Sequence, residues 1–577
     1  MLTTRRMFFP TVKPWCYALT AILSAAIAFV ALHLWQADLR VPFNYAPGGQ
    51  DSFINMMWVK GTLQNGWYLH NSFLGAPGEL NQLDFPMFDS LHFAIIRAIG
   101  LIQHSWGAVL NEYYLLTFPL IAIAALYAGK FAGLSTPAAI VVSQLYAFLP
   151  FHLIRGEMHL TLGAYYMVPL TLPAILTIAR GEALSRGWWV AAPAFALIGL
   201  SNIYHAAFAL FFVMVAAIIG IARRGRAART ACANGALLFL LTAATLGLQF
   251  IPSALHTRTV GPNPLAVNRS PADADTFGLK LAQLILPVPG HRLPNLAFLR
   301  SVYAADFPDI NENESAALGF IGAAGFLMLL FRAALGLARI TRPTADPNST
   351  DLLDTLAMLT IAGLLLATVG GFGSVFNFLI VPIIRAYNRI SIFLALFALI
   401  GIAAALDRTL REKWRWPVFV LVLLFGLFDQ IPATAVPNFA QNQAGFQSDA
   451  RFIASIESTL PAGSMIFQLP IVDFPESPPV HDLSDYELFR AYLHSNSLRW
   501  SYGAMKGREV AQWQHRIAKL PTTLMVDQIV ARGFAGIYLD RRAYADDSVE
   551  SQLKSILGTP QVSDDGRMVL FALPTTK

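Results

Sequence analysis

Asp51 is the side chain best placed in this chain to move a proton. It stands in Pro47-Gly48-Gly49-Gln50-Asp51-Ser52-Phe53, just beyond the first long apolar run and at the head of a stretch with helical spacing. A carboxylate fixed there can act as a general base toward an acceptor hydroxyl, or partner a metal. The position also suits a helix cap, in which the Asp oxygen accepts orphan N–H bonds of the first turn. A helix start attracts anions besides, so a phosphate can dock close by.

Further carboxylates offer a second acid or base. Asp84 and Asp89 share the segment that follows Asp51, where turn formation and helix capping account for them equally well. Glu312 and Glu314 abut a later apolar run, where a helix dipole alone would favour them. Phe151-His152-Leu153-Ile154-Arg155-Gly156-Glu157-Met158-His159 sets His152, Arg155, Glu157 and His159 at the edge of two apolar runs. Ionisable groups are expensive there, which points to the rim of a site. Their spacing is too unspecific to define a metal centre, so no metal site and no cofactor is assigned. Arg385 and Arg389, in Pro382-Ile383-Ile384-Arg385-Ala386-Tyr387-Asn388-Arg389, are suited to bidentate phosphate binding or to lipid headgroups.

These residues need a membrane to make sense of their neighbours. Only 13% of residues are charged, against roughly 25% in ordinary soluble domains, and mean hydropathy is +0.51. Apolar runs long enough to cross a hydrocarbon core give about eleven spans. They lie near Trp15–Leu34, Tyr113–Leu134, Ala138–Ile154, Thr161–Ala179, Trp188–Leu200, Tyr204–Ala222, Cys232–Ile251, Ala316–Leu337, Leu353–Gly370, Ile390–Leu406 and Trp416–Ile431. Arg5, Arg6 and Lys13 precede the first. Lys130, Arg180, Arg186, Arg223, Arg224, Arg226, Arg229, Arg332, Arg339, Arg342, Arg408, Arg411, Lys413 and Arg415 fall in alternate turns. The positive-inside rule then places the N-terminus in the cytoplasm and the C-terminus outside. Arg155, Arg385 and Arg389 depart from that rule. The first run is long and lacks a small-residue cleavage site, so it reads as an uncleaved span. Net charge of +6 is explained by the cytoplasmic turns and gives no reason for a nucleic-acid partner. Cys16 and Cys232 fall in or beside spans, as inert thiols.

Three parts should lie outside: a first loop over 36–112, a second over 252–314, and a tail over 437–577 following a membrane domain over 1–436. The first loop should hold helices over Ser52–Gln64 and Asp89–Gln103, lying in the interface plane, joined by a turn-rich stretch. In the tail, Met465–Leu469, Gly536–Leu539 and Arg567–Leu573 read as strands, with helices over Tyr486–His494, Val510–Arg532 and Ser548–Leu557, a small α/β domain. Its patch of Arg499, Trp500, Tyr502, Lys506 and Arg508 suits sugar rings or packing onto membrane helices.

The layout resembles the GT-C superfold of polytopic glycosyltransferases. Asp51 within Gly48-Gly49-Gln50-Asp51 after the first span, two interfacial helices in the first outer loop, and a soluble domain after the last span carry the likeness. Leu74-Gly75-Ala76-Pro77-Gly78 with Asp84-Phe85-Pro86 is similar to segments of bacterial membrane proteins grouped with that superfold. The resemblance implies an all-α polytopic membrane protein with a C-terminal extracytoplasmic α/β domain in a bacterial inner membrane. It implies hexosyl or pentosyl transfer from a polyprenyl-phosphate-linked sugar to an envelope glycan, lipid or protein acceptor, with Asp51 activating the acceptor. The paired acids of metal-dependent members are not found beside Asp51. A flippase of lipid-linked sugars would instead place charges near the bilayer midplane, and a non-catalytic assembly scaffold would tolerate loss of Asp51.

Overall fold

The computed structural model describes residues 12–46, 51–307, 312–339 and 352–574. Arg5, Arg6, Arg342 and the Pro47–Gln50 part of the Asp51 motif lie outside the described residues. All eleven apolar runs expected to cross the membrane are helical, over most or part of their length. Among the described residues six helices are long and apolar enough to cross: Pro14–Ala31, Trp106–Phe131, Thr136–Arg155, Ile203–Val260, Gly319–Gly336 and Tyr387–Thr409. Glu412–Gln430 adds a seventh if it is counted with the segment bent from it by 73°. Ile203–Val260 is a hairpin, since Ile203–Arg224 and Arg229–Val260 pack on one another.

The other runs are shorter because backbone breakers divide them. Thr161–Ala179 becomes Leu160–Gly163 and Val168–Ala179, the second opening at Pro169, a ring favoured in a first helical turn. Leu352–Ala367 stops before Gly370-Gly371, and Trp188–Gly199 has 12 residues. Arg229–Val260 carries Pro252 inside it, so the second loop starts at Gly261 rather than at 252.

Helix faces sort by environment. Ile22, Val30, Leu240, Leu248, Leu421 and Leu424 are exposed, as lipid-facing side chains of a bundle are. Inside, Phe118, Tyr146, Phe148 and Tyr165 are fully buried. The basic turns gather at one end: Lys130 donates to the Leu134 carbonyl, Arg223 to Ala179 and Thr355, Arg415 pairs with Asp407, and Arg180 lies over Phe131. The chain is therefore a multi-pass membrane protein with one strongly basic end.

The opposite end is built from the first loop, the second loop and the tail together. Ser52–Asn65 was expected in the interface plane, yet Ser52 to Thr62 are all buried. It packs on Trp106–Phe131 from one side and on tail helix Phe489–His494 from the other. The tail covers the face that headgroups would otherwise have met. Lys60, also buried, donates to the carbonyls of Tyr492, Leu493 and Ser495 at 2.6, 3.2 and 2.5 Å, a cation on the C-terminal end of that tail helix.

The tail sheet has the order Arg499–Trp500, Met465–Leu469, Phe534–Asp540, Met568–Ala572, Gln561–Val562, the first three parallel and the last two antiparallel. Its first edge is closed by the first loop: Leu74 bridges Trp500, Trp500 N donates to Phe73 O at 2.8 Å, and Ala76 N to Trp500 O at 3.0 Å. Covering an edge in this way satisfies backbone groups that would otherwise pair at random. Gly75, at φ +76 with Glu79 backbone against its missing Cβ, permits the turn. Val510–Arg532 divides into Glu509–Ile517 and Thr522–Ala531 at Pro521.

Candidate active site

Asp51 sits at the head of Ser52–Asn65 in the capping position, but its side chain makes no capping bond. Asn55 bonds across the helix start instead, donating from Nδ2 to Asp51 O and to Met158 O, both at 2.9 Å. That stitch ties the helix start to the turn after Pro150–Arg155 and frees the Asp51 carboxylate. Its Oδ2 lies 3.3 Å from His159 Nε2, and 47% of its side chain remains exposed. Burial among protein groups, then the Glu312 charge, push its pKa up to about 6. Burial, reinforced by Arg155, holds the His159 imidazole well below its ordinary range. The neutral ring lies against the carboxylate, and Arg155 Nη1 is 3.5 Å from the same ring nitrogen.

Arg155 ends Pro150–Arg155, where Gly156 at φ +44 reverses the chain. Its Nη2 lies 3.1 Å from Glu312 Oε2, and Arg389 Nη2 lies 3.0 Å from the same oxygen. Burial opposes ionisation of Glu312, yet Arg389 and Arg155 outweigh it and hold the carboxyl far below its usual range. Arg389, in the turn Tyr387–Ile390, also stacks 4.2 Å from the centre of the Tyr204 ring. Arg385 lies 5.0 Å over Phe277 and, among the described residues, has no ion-pair partner. Its charge reaches both Asp51 and Glu476.

Other expected residues take different places. His152 turns inward from the rim: it is wholly buried and bonded to Thr117 and to the Ala147 carbonyl. Glu157 lies beneath the rim, its Oε2 accepting from Asn44 N at 3.0 Å while Oε1 has no partner. Burial pushes it up to about 8, so it is mainly neutral at pH 7 and anchors the strand of chain that leads to Asp51. Asp89 is buried against Asn202 and pushed up to about 6 by that burial. Asp84 is away from Asp51, gripped by Arg508 through two bonds of 2.6 and 2.7 Å and by Asn263. Glu314 is exposed. Arg499 and Arg508 of the tail patch hold first-loop groups, Gly78 O and Asp84, and Trp500 is fully buried, so the patch is a docking surface.

One wall was missed. The tail stretch 470–486 faces Asp51 with Glu476, Asp485 and Tyr486. Burial pushes Asp485 up to about 7, and the charges of Asp51 and Glu476 add to it. Glu476 is held by Arg269 through two 2.8 Å bonds. Glu476, His481 and Tyr486 all have positive φ, at 54, 52 and 67°, strain that clusters at functional sites. The visible signal was the density of Pro475, Pro478 and Pro479 followed by Asp482 and Asp485, a rigid acidic loop in an otherwise regular domain. Among the described residues, no three His, Cys, Asp or Glu converge in a metal-holding group.

No family model and no curated protein matches this chain. Solved structures do. The arabinofuranosyltransferase AftD from Mycobacteria is 15% identical at a TM-score of 0.51, over 98% of this chain and 40% of that one. The oligosaccharyltransferase of Archaeoglobus fulgidus is 11% identical at a TM-score of 0.41, over 92% of this chain and 70% of that one. The chain thus spans well under half the length of AftD. The likeness establishes the fold: this is a GT-C-fold membrane protein.

Proposed function

We propose that the protein is an integral-membrane glycosyltransferase. It moves a hexosyl or pentosyl group from a polyprenyl-phosphate-linked donor to an envelope glycan, lipid or protein acceptor, on the outer face of a bacterial inner membrane. The observation that carries this reading is a half-exposed carboxylate, Asp51, near an arginine with no ion-pair partner among the described residues, Arg385, at the end of the bundle away from its basic turns. Fold likeness to an arabinofuranosyltransferase supports it.

The chemistry follows from the two charges. The acceptor oxygen attacks the anomeric carbon and Asp51 takes its proton, with the His159 ring 3.3 Å from the carboxylate. The carbon–oxygen bond to phosphate breaks, and the electron pair leaves on the phosphate oxygen. Arg385 is positioned to offset that charge. Apolar Phe372, Phe378, Leu379 and Ile383, all exposed just before Arg385, offer the donor's lipid a surface that leads to it. The test is mass spectrometry of surface glycans and lipid-linked sugars from wild-type, deletion and Asp51→Asn cells, with membrane insertion verified. A sugar absent from both altered strains is expected. If Asp51→Asn cells keep the sugar that deletion removes, Asp51 is not the base.

A further inference from the structure

Glu312 occupies an odd position for a surface carboxylate. A single oxygen, Oε2, serves two arginines that come from different elements, Arg155 and Arg389. Both guanidiniums are deeply buried, with side chains only 5% and 9% exposed, whereas Glu312 is 17% exposed. Among the described residues each arginine keeps a buried Nε with no hydrogen-bond partner. A guanidinium offers five N–H donors in a fixed fork; besides Oε2, Arg155 Nη2 reaches the Glu312 carbonyl at 3.3 Å and Nη1 lies 3.5 Å from His159, so both forks keep donor capacity. The Glu312 backbone is itself in the left-handed region, at φ 62 and ψ 8, which a side-chain-bearing residue rarely adopts.

Two buried arginines with unsatisfied donors, bridged by a carboxylate on a strained backbone, match an anion larger than a carboxylate. Resting on the transfer reading above, the reaction makes such an anion. The donor phosphate is a diester with one negative charge; after the sugar leaves it is a monoester, which carries ≈ −1.5 to −2 at neutral pH. Arg385 answers the first charge. We propose that Arg155 and Arg389 form the subsite for the second charge of the departing isoprenyl phosphate monoester, and that Glu312 is their resident counter-ion, displaced when the monoester arrives. In either state one negative charge faces the two buried guanidiniums, so the exchange swaps one counter-ion for another.

The test uses the full chain in nanodiscs with farnesyl phosphate as probe, and farnesol and sodium phosphate as controls. Binding is read by intrinsic tryptophan fluorescence at pH 7.5. Removing the competing carboxylate with Glu312→Gln should tighten farnesyl phosphate by about tenfold, from its differential effect on the two states, and leave farnesol unchanged. Adding Arg389→Lys, which keeps the charge but not the fork, should cancel most of that gain. A parallel gain for sodium phosphate assigns the site to phosphate alone; a gain confined to farnesyl phosphate assigns it to the lipid-borne group. If Glu312→Gln binds farnesyl phosphate no tighter than wild type, the exchange does not occur. The binding measurement needs no turnover, so it separates the two ideas: exchange in a wild-type protein that transfers no sugar leaves this subsite standing while the transferase reading falls.

Discussion

Two clusters of charge are buried at the same end of this protein, and they are built to opposite plans. In the tail, Arg490 bonds Asp449 at 3.1 Å, Glu487, and the Tyr45 carbonyl at 2.9 Å; Arg567 takes the other Asp449 oxygen at 2.6 Å; Arg542 joins Glu487 to Asp540. Tyr45, from the first loop, closes the set by donating to Asp449 at 2.7 Å, and its hydroxyl contacts His494 at 2.8 Å. Of these guanidinium nitrogens all but Arg567 Nη1 meet an acceptor among the described residues. Around Asp51, by contrast, Arg155 Nε, Arg389 Nε, His159 Nδ1 and Glu157 Oε1 are buried without partners among the described residues. A nearly saturated cluster holds two parts of a chain together. An unsaturated one has room for something that is not the chain.

Substitution should break the two clusters in opposite ways. Asp51→Asn is expected to lower sugar transfer by roughly 10²–10⁴-fold, the usual worth of a positioned base. Folding should survive, because a carboxyl with a raised pKa withholds stability above that pKa. Melting of purified Asp51→Asn at pH 8 should match or exceed wild type; a lower melting point would make Asp51 a structural cap after all. Arg490→Met inverts the pattern. It strands Asp449 and Glu487 without Arg490, where breaking a buried pair costs about 3–5 kcal/mol. Melting temperature and protease resistance of the tail should fall together, and any loss of transfer should track the unfolded fraction. Transfer lost at full stability would blur the contrast.

A pH profile sharpens the comparison without any mutation. Asp51 is raised to about 6, so the basic form dominates above that value. The transfer rate should be flat above pH 7 and fall about tenfold per unit below 6. A rate that stays level down to pH 4.5 would exclude a carboxylate with this pKa from the rate-determining proton transfer.

How much of this was legible in the chain depends on how far each feature relies on contacts between distant segments. The apolar runs and the basic turns announce themselves through length and charge, and Trp106–Phe131 or Ser391–Thr409 form near where hydropathy alone puts them. Asp51, Arg155, His159, Glu312, Arg385 and Arg389 stand out one by one as ionisable groups where apolar sequence surrounds them. What the sequence cannot express is who meets whom. Nothing local says that Glu312 bridges Arg155 and Arg389, that Asp84 belongs to Arg508, or that the 470–486 loop reaches across to Asp51. The burial of Ser52–Asn65 is invisible for the same reason: its own residues do not say whether headgroups or protein will meet its outer face, and the docked tail is what supplies the protein.

The smallest of the expected effects tests whether that docking serves the site. Asp84 and Arg508 join the first loop to the tail through two charge-assisted bonds, with Arg508 23% exposed and Asp84 5% exposed. Asp84→Asn keeps the shape but removes the charge, and should cost about 1–2 kcal/mol, read as a modest drop in melting temperature. If the tail only covers the membrane domain, transfer by the folded fraction should not change. If the Glu476–Tyr486 loop forms part of the acceptor's surroundings, loosening its anchor should raise KM for the acceptor several-fold while kcat and the donor KM stay put. That split would separate the two proposed contributions, the carboxylate's on the proton and the loop's on where the hydroxyl that carries it is held.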